Sequence, residues 1–339
     1  MRLIEKVWFK QHRAKYWLVP LLLPLSGVFY LLSATRRLAY KLGLFKSIQV
    51  SKPVIVVGNI GIGGNGKTPI VVDLVQRCKA LGFNPGVISR GYGAHAKSYP
   101  YMLDKYSTSL EAGDEPLLIY QRCQVPVAIG ADRIANAQCL IKQGCDIIIS
   151  DDGLQHYRLH RDIELVVVDG NRLFGNGLLL PAGPLREGVW RLPQADLVVF
   201  NGGQPEKLNQ LNPSALLMTL AAVEVIQIHT GKRVLLADFL TAQPTVNALA
   251  GIGDPQRFFD TLHTLGFTLS QQQGFIDHKD FALDDFNQFK TDLPLLMTEK
   301  DAVKCQAFAC EHWWYLPVSA HFGKQDAKTL QAMLKALAK

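Results

Sequence analysis

The sequence predicts an α/β fold built on a doubly wound, mostly parallel sheet. Short apolar runs alternate with stretches of helical spacing along the 339 residues, each run ends in a polar turn, and a glycine-rich loop follows the first run. In a doubly wound sheet the carboxyl ends of the strands share one edge, where ligands bind. We therefore expect these turns to form the rim of a binding site. The runs and their turns cover residues 54–57, 86–93, 126–133, 145–156, 163–170, 195–203, 247–255 and 294–303.

The composition limits the classes of partner. A hydrophobic content of 48% is enough for a substantial core, and the length suits two folding units with an appendage. The formal net charge of +7 suits a membrane surface or a phosphate-rich substrate. We expect no nucleic-acid partner, because no RNP, zinc-finger or basic-helix pattern is present, and no protein partner is evident. The six cysteines form no C-x-x-C pair, which argues against a zinc site or a disulfide framework.

The N-terminal segment Trp17–Ala34 is apolar and uncharged. As a helix it would measure about 27 Å, against about 30 Å for the hydrocarbon core of a bilayer. Pro20, Pro24 and Gly27 are expected to interrupt the helix, and basic residues flank it on both sides. These features predict that residues 1–46 dip into one leaflet of an anionic membrane surface. A buried core helix and a cleaved signal peptide are the alternatives.

The glycine-rich loop lies between the run at 54–57 and a helical stretch whose first turn contains Pro69. It matches G-x-x-x-x-G-K-[ST] at every position. Glycines let consecutive backbone N–H groups turn toward an anion, and the helix adds its partial positive end. We therefore expect a P-loop NTPase fold in which Lys67 neutralises nucleotide phosphates and Thr68 binds Mg²⁺; a glycine turn without a ligand is the alternative. The loop consists of Gly61, Ile62, Gly63, Gly64, Asn65, Gly66, Lys67 and Thr68.

Two adjacent acids, Asp151 and Asp152, directly follow an apolar strand, as in a Walker B motif. Neighbouring side chains of an extended chain point to opposite sides, so one acid can hold Mg²⁺ while the other faces an acceptor or a histidine. A simple Asp-Gly turn is the alternative. Gln155 and His156 belong to the same turn and are either site residues or surface polar residues.

The alternating pattern gives way after residue 222 to two apolar-polar runs around Thr230–Lys232, which predict a β-hairpin. A two-stranded ribbon is not stable alone. We therefore expect residues 223–245 to link a nucleotide-binding domain at 47–222 to a smaller C-terminal α/β lobe at 246–339. Two lobes joined in this way enclose a cleft that can close.

Several short motifs follow one another along the chain from about residue 50 to about residue 320. They are GNIGIGGNGKTP, SRGYG, GDEP, GADR, SDDGLQH, LLPAGPLRE, FIDHKDF and TEKDAV. With these motifs in this order the chain closely resembles the tetraacyldisaccharide 4′-kinases of lipid A biosynthesis, which also carry an apolar N-terminal segment. The resemblance implies transfer of the γ-phosphate of ATP to the 4′-hydroxyl of an acylated disaccharide 1-phosphate lipid, at the cytoplasmic face of the inner membrane.

The resemblance also implies roles for particular residues. It places Asp114 of GDEP and His278 of FIDHKDF together as the pair that accepts the proton of the acceptor hydroxyl. Asp151 and Asp152 then lie nearer to Mg²⁺, Asp152 and Lys67 also serve catalysis, and Glu115 is a possible second metal-site residue. A helix N-cap is the alternative for Asp114, and an exposed loop histidine for His278.

The remaining candidates are cations and polar groups on the predicted rim. Arg133 and Arg186 suit bidentate contacts to phosphate, Arg133 with ATP and Arg186 with the sugar 1-phosphate, unless they form surface ion pairs. Family position implies sugar or phosphate contacts for Arg90, Tyr92, Gln155 and His156. The TEKD turn either lies near the adenine or is a helix cap formed by Thr298, and the cap is the preferred interpretation.

Two other functional classes use the same loop. A membrane-recruited ATPase of the partitioning type would hydrolyse ATP without a chemical acceptor. A GTP-dependent switch would read guanine through N-K-x-D, and that motif is absent from the sequence.

Overall fold

The computed structural model describes residues 3–10, 12–204, 206, 211–212 and 214–337. Its larger sheet has nine strands in the order β15-β8-β7-β6-β1-β5-β2-β4-β3. In chain order these are β1 (Val54–Gly58), β2 (Pro85–Ser89), β3 (Tyr101–Met102), β4 (Val127–Ile129), β5 (Ile147–Asp151), β6 (Ile163–Asp169), β7 (Leu197–Asn201), β8 (Leu216–Ala221) and β15 (Ser319–Phe322).

The seven strands from β8 to β4 in this order are parallel, and only the two edge strands β15 and β3 run antiparallel among the described residues. The central strands are buried along their whole length, as expected for a parallel sheet covered on both faces. One face packs against α3 (Lys67–Ala80) and α5 (Asp114–Cys123), and the other against α6 (Arg133–Lys142). The prediction of a doubly wound, mostly parallel sheet is confirmed.

The smaller sheet has six strands in the order β10-β9-β14-β13-β11-β12. Its strands are β9 (Glu224–Gln227), β10 (Arg233–Leu235), β11 (Thr245–Ala250), β12 (Thr268–Gly274), β13 (Leu295–Thr298) and β14 (Trp313–Leu316). The pair β9 and β10 forms an antiparallel hairpin where the sequence predicts one, and it lies at the edge of this sheet. The lobe also contains α7 (Leu236–Ala242), α8 (Pro255–Thr264) and α9 (Glu299–Cys305).

The end of the chain returns to the larger sheet. Strand β15 pairs with β8, and α10 (Lys324–Ala336) packs its buried leucines Leu330 and Leu334 into the same core as α3. Both elements lie within the range 246–339, where the sequence suggested one C-terminal lobe. The chain therefore crosses between the two sheets twice.

The N-terminal residues form α1 (Leu3–Phe9) and α2 (Lys15–Lys41). The expected interruption at Pro20 and Pro24 is wrong, because α2 continues through both prolines as one helix of 27 residues. Among the described residues it is the one helix whose length and apolar composition would allow it to cross a membrane. Most of its large apolar side chains are exposed, including Leu21 at 65% and Leu32 at 68%.

The two N-terminal helices contact the segment 179–182. The hydroxyl of Ser26 donates to the carbonyl oxygen of Leu179 over 3.0 Å and accepts from the amide of Ala182 over 3.0 Å. The indole Nε1 of Trp8 donates to the carbonyl oxygen of Pro181 over 3.1 Å. Segment 179–182 is thus bonded to both N-terminal helices. The described ranges also contain four short elements: α4 (Ser109–Ala112) and the 3₁₀ turns Val189–Gln194, Leu283–Phe286 and Gln306–Phe308.

Candidate active site

The glycine-rich loop joins β1 to α3 at the carboxyl edge of the larger sheet. The amide of Ile62 donates to the carbonyl oxygen of Pro184 over 2.9 Å, which fixes the outer side of the loop. None of the amides from Gly63 to Gly66 donates to another residue in the described part of the chain. A run of free amides directly before a helix is an anion-binding geometry.

Gly66 is required by the geometry of this loop. Its φ of +85° lies in the left-handed region, and a Cβ there would lie 2.3 Å from Nδ2 of Asn201. Asn201 ends β7, is buried, and donates from Nδ2 to the carbonyl oxygen of Asn65 over 3.3 Å. Asn201 lies in one of the predicted polar turns, 195–203, but belongs to none of the motifs above.

Asp152 lies between two cations at the mouth of the loop. Its Oδ1 is 3.5 Å from Nζ of Lys67, and its Oδ2 is 3.2 Å from Nη1 of Arg186. Burial alone would raise the pKa of Asp152, but Lys67 and Arg186 outweigh burial and hold this pKa below its ordinary value. Asp152 is therefore ionised at neutral pH and holds both cations beside the loop.

Asp151, the last residue of β5, is paired in register with Val57 of β1 and is 1% exposed. Neither of its carboxylate oxygens has a hydrogen-bond partner among the described residues. Burial raises the pKa of Asp151 above its ordinary value, and the nearby charge of Glu115 adds to this. An unpaired carboxylate in this position is costly unless a cation joins it.

The oxygen donors here suit Mg²⁺. The ion is bound through one or two carboxylates together with substrate phosphates, so it needs no complete protein cage. No group of three or more His, Cys, Asp or Glu side chains forms such a cage within the described ranges. Asp151 and Asp152 beside a phosphate-binding loop fit the ion in this way. We call Lys67, Asp151, Asp152 and Arg186 the loop cluster.

A second group of side chains joins the two lobes. Asp114 is the first residue of α5, whose N-cap is Gly113, so the N-cap alternative for Asp114 is wrong. Its Oδ2 is 3.2 Å from Nδ1 of His278, which lies in the loop after β12. His278 has a φ of +59°, a conformation that few non-glycine residues adopt. The ring of Tyr92 lies 5.2 Å from the imidazole, measured between centroids.

Two lysines of α9 flank this contact. Nζ of Lys300 is 3.1 Å from Oε1 of Glu115 and 3.4 Å from Nε2 of His278. Nζ of Lys304 is 4.0 Å from Oδ2 of Asp114. We call Asp114, His278 and Lys300 the dyad cluster. The loop and dyad clusters together supply phosphate-binding cations, carboxylates for a metal, and a carboxylate–imidazole pair.

Residues 18–338 match the family described as tetraacyldisaccharide-1-P 4′-kinase, LpxK. A tetraacyldisaccharide 4′-kinase of Colwellia psychrerythraea strain 34H is 64% identical over 330 residues, which cover 97% of this chain and 96% of the relative. The chain belongs to the tetraacyldisaccharide-1-P 4′-kinase family. The family expected from the motifs is thus confirmed.

Two further comparisons agree with this assignment to the 4′-kinase family. The tetraacyldisaccharide 4′-kinase of Tolumonas auensis is 47% identical over 336 residues, covering 99% of this chain and 98% of the relative. The crystal structure of LpxK from Aquifex aeolicus in complex with ATP has a TM-score of 0.76 and 27% identity, over 94% of this chain and 99% of that one. Family and fold therefore correspond along nearly the whole length.

The other predicted rim residues lie in different surroundings. Arg133, the first residue of α6, is 3% exposed. Burial lowers the pKa of Arg133 to about 10, although Asp151 and Asp152 oppose this, so it remains charged at neutral pH. Gln155 donates from Nε2 to the carbonyl oxygen of Asn59 over 3.1 Å.

His156 is half-buried, and its Nε2 has no hydrogen-bond partner among the described residues. Burial, together with the nearby cations Arg133 and Arg161, lowers the pKa of His156 to about 4. This imidazole is therefore neutral at physiological pH. Arg90 and Tyr92 are exposed, and Tyr92 reaches the dyad cluster rather than the loop cluster.

Sequence reasoning missed several residues of the 4′-kinase site. Arg172 and Asp254 form an ion pair across the lobes, and Nη1 of Arg257 lies 2.8 Å from Oδ2 of Asp169 at the end of β6. Lys300 lies within the TEKD turn, where Thr298 caps α9 by accepting from the amide of Asp301, as the cap interpretation predicts. Asp169 ends a predicted strand, and Asp254 and Lys300 lie within the predicted runs 247–255 and 294–303, which were the available signals; Arg257 lies outside them.

Proposed function

We propose that this chain transfers the γ-phosphate of ATP to the 4′-hydroxyl of a tetraacyldisaccharide 1-phosphate. Its family and its relatives, which are tetraacyldisaccharide 4′-kinases, support the reaction. The observation that carries the chemistry is the 3.2 Å contact between Asp114 and His278. This contact brings together a carboxylate and an imidazole from two lobes, near the carboxyl edge of the larger sheet, where the glycine-rich loop lies.

The first part of the proposal concerns the donor nucleotide. Phosphoryl transfer needs positioning and neutralisation of charge on the equatorial oxygens. The free amides of residues 63–66 and the ammonium of Lys67 bind the triphosphate tail of ATP. Arg133 adds a buried cation on the same side. Arg186, which is 34% exposed and now paired with Asp152, is available to the 1-phosphate of the acceptor.

The second part concerns the metal. Thr68, the second residue of α3, together with Asp151 and Asp152, would hold Mg²⁺. Glu115 would contribute its negative charge without being a direct ligand. When bound, the ion supplies charge neutralisation on the transferring phosphoryl oxygens. The unpaired carboxylate oxygens of Asp151 support this assignment.

The third part concerns the proton. A sugar hydroxyl is a weak acid and needs a base within hydrogen-bonding reach. Imidazole is the side chain that changes protonation near neutral pH, and Asp114 orients it through Nδ1. His278 therefore accepts the hydroxyl proton in this proposal, while Arg90, Tyr92, Gln155 and His156 contact the sugar and its phosphate.

The fourth part concerns the membrane. The exposed apolar surface of α2 and the basic residues before and after it support binding to an anionic surface, which we place at the cytoplasmic face of the inner membrane. An acylated acceptor stays in the bilayer, so an enzyme bound to the same surface searches in two dimensions. The acceptor and the membrane are then reached together.

Mass spectrometry tests the reaction. The purified chain is incubated with Mg-ATP and a tetraacylated disaccharide 1-phosphate in mixed micelles, and the lipid is analysed for one added phosphate. We expect one new phosphomonoester for each ATP consumed. Hydrolysis of ATP with an unmodified lipid would instead support the partitioning-type ATPase.

Vesicle sedimentation tests the membrane assignment. Leu21, Leu25 and Leu32 are exposed on α2, and replacing all three by Ser removes apolar area while leaving the contacts of Ser26 intact. Each buried leucine contributes about 1.5–3 kcal/mol, so we expect affinity for phosphatidylglycerol vesicles to fall by at least about tenfold. The same positions changed to Met are the matched control. Unchanged sedimentation of the Ser variant would show that another surface binds the membrane.

A further inference from the structure

Lys300 connects three groups at the interface of the two lobes. Its Nζ lies 3.1 Å from Oε1 of Glu115, 3.1 Å from Oδ1 of Asp277 and 3.4 Å from Nε2 of His278. Glu115 belongs to the larger lobe, whereas the other two residues belong to the smaller one. One ammonium group therefore touches the imidazole of the proposed base and a carboxylate from each lobe.

The chemistry of the two nitrogens of His278 follows from their partners. An ammonium group has three N–H donors and no acceptor, so Nε2 facing Lys300 must carry a lone pair. Nδ1 faces the carboxylate of Asp114, which accepts a hydrogen bond. In the tautomer that satisfies both contacts the proton lies on Nδ1; Oδ2 of Asp277, 3.8 Å from Nε2, is beyond hydrogen-bonding distance. Nε2 is the nitrogen left to accept a proton.

The fold holds Lys300 firmly in this position. Lys300 is the second residue of α9, which begins directly after β13 and is capped by Thr298. The carboxylate of Asp301 accepts from the amide of Gly251 over 2.9 Å, and one turn further along α9 Lys304 pairs with Asp301 over 2.9 Å. The start of α9 is therefore anchored to β11, and the side chain of Lys300 is only 16% exposed.

The charge of Lys300 is maintained by its neighbours. The carboxylates of Glu115 and Asp277 each lie 3.1 Å from its Nζ. An ammonium group held between two carboxylates acts only as a donor.

We propose that Lys300 is a positioning residue for the base: it holds the unprotonated Nε2 of His278 toward the acceptor and keeps that nitrogen free of a proton until the hydroxyl arrives. This inference rests on the proposed function. In the step itself the acceptor O–H bond breaks and an N–H bond forms at Nε2. The oxygen electron pair forms the new O–P bond, while the bond from phosphorus to ADP breaks and its electron pair leaves with ADP. Lys300 retains its two carboxylate partners when it releases Nε2.

A purely structural role for Lys300 would be to tie the lobes together. A second ion pair between the lobes, away from His278, provides a matched control. Arg122 of α5 pairs with Glu299 of α9 over 2.7 Å and donates to the carbonyl oxygen of Val318 over 2.8 Å. Arg122→Met therefore weakens the same lobe interface without touching the imidazole.

A double-mutant cycle separates the two roles. The rate of lipid phosphorylation at saturating Mg-ATP is measured for the wild type, Lys300→Met, His278→Ala and the double variant. We expect Lys300→Met to lower kcat by about 10–100-fold, with the KM for ATP within about twofold. The double variant should fall no more than about twofold below His278→Ala, because a residue that acts through the imidazole has nothing left to position. Lys300→Arg should recover part of kcat.

Three outcomes would overturn the inference: losses that multiply in the double variant, a wild-type kcat in Lys300→Met, or an equal loss in Arg122→Met. Thermal unfolding checks that each variant is folded. If Lys300→Met is not folded, the same cycle is measured with Lys300→Arg, in the wild-type background and in the His278→Ala background. A wild-type chain that makes no phosphomonoester would refute the proposed function instead, so the two failures are distinguishable.

Discussion

The loop cluster and the dyad cluster are built in different ways. All members of the loop cluster come from the larger lobe, where Asp151 ends the buried parallel strand β5 and Lys67 begins α3. The dyad cluster takes Asp114 from the larger lobe and His278 and Lys300 from the smaller one. The loop cluster is therefore complete within one core, whereas the dyad cluster exists only while two lobes are in contact.

The two clusters therefore differ in how firmly the fold holds their geometry. The backbone of the loop cluster is fixed by strands that are buried along their length. The dyad cluster depends on ion pairs between lobes and on a histidine with positive φ. Changes in the loop cluster should abolish both binding and turnover, while changes in the dyad cluster should affect turnover alone.

Lys67→Ala should have the largest effect on this contrast. It removes the ammonium group that the proposal places on the ATP phosphates, while Arg133 and Arg186 remain, so we expect kcat/KM for ATP to fall by about 10³-fold, with weaker ATP binding. Lys79→Ala, at the far end of α3, is the control and should keep normal activity. Isothermal titration with a non-hydrolysable ATP analogue and steady-state kinetics measure the two effects. Full ATP affinity in Lys67→Ala would contradict the assignment of the loop.

His278→Ala should have a smaller and more selective effect. Loss of a positioned general base costs about 10²-fold or more in kcat, and the KM for ATP should stay within about twofold because the loop cluster is untouched. His263→Ala, an exposed histidine of α8, is the matched control. A fully active His278→Ala enzyme would show that the Asp114–His278 pair is not the base.

The smallest effect concerns the stability of the larger lobe in acid. The pKa of His156 is lowered to about 4 by burial and by nearby arginines, against about 6.5 in an unfolded chain. Between these values the unfolded state binds more protons than the folded state, so stability falls as pH drops from about 6.5 to about 4. His156→Gln should make this fall shallower, as measured by urea midpoints at several pH values. The exposed His160→Gln is the control, and parallel curves for His156→Gln and the wild type would refute the prediction.

The contrast also explains how much the sequence could predict. Strands β1, β2, β4, β5, β6, β7, β11 and β13 lie where apolar runs end in polar turns, because buried parallel strands leave continuous apolar signals. The loop cluster is predictable for the same reason, since the glycine-rich loop that leads to Lys67 follows β1 and the two adjacent acids lie at the end of β5. Arg186 was readable only as one arginine of a motif, and its contact with Asp152 depends on tertiary folding.

Other features have no local signal. Strand β12 alternates exposed and half-buried residues, and β15 reaches the larger sheet from the end of the chain. Lys300 looks like an ordinary lysine in the first turn of a helix, and only the packing of α9 beside α5 brings it to His278. The continuity of α2 through two prolines was also not predicted, because local proline rules favour an interruption.

The hydroxyl of Ser26 has a consequence for geometry at the bilayer. It attaches the middle of α2 to Leu179 and Ala182. Two residues after Ala182, the carbonyl oxygen of Pro184 accepts a hydrogen bond from Ile62 of the glycine-rich loop. A helix fixed at its midpoint cannot pivot independently of the catalytic lobe. If α2 embeds in lipid, this attachment fixes the distance between the glycine-rich loop and the hydrocarbon core of the bilayer. That distance then sets how far a lipid headgroup must move out of the bilayer to react.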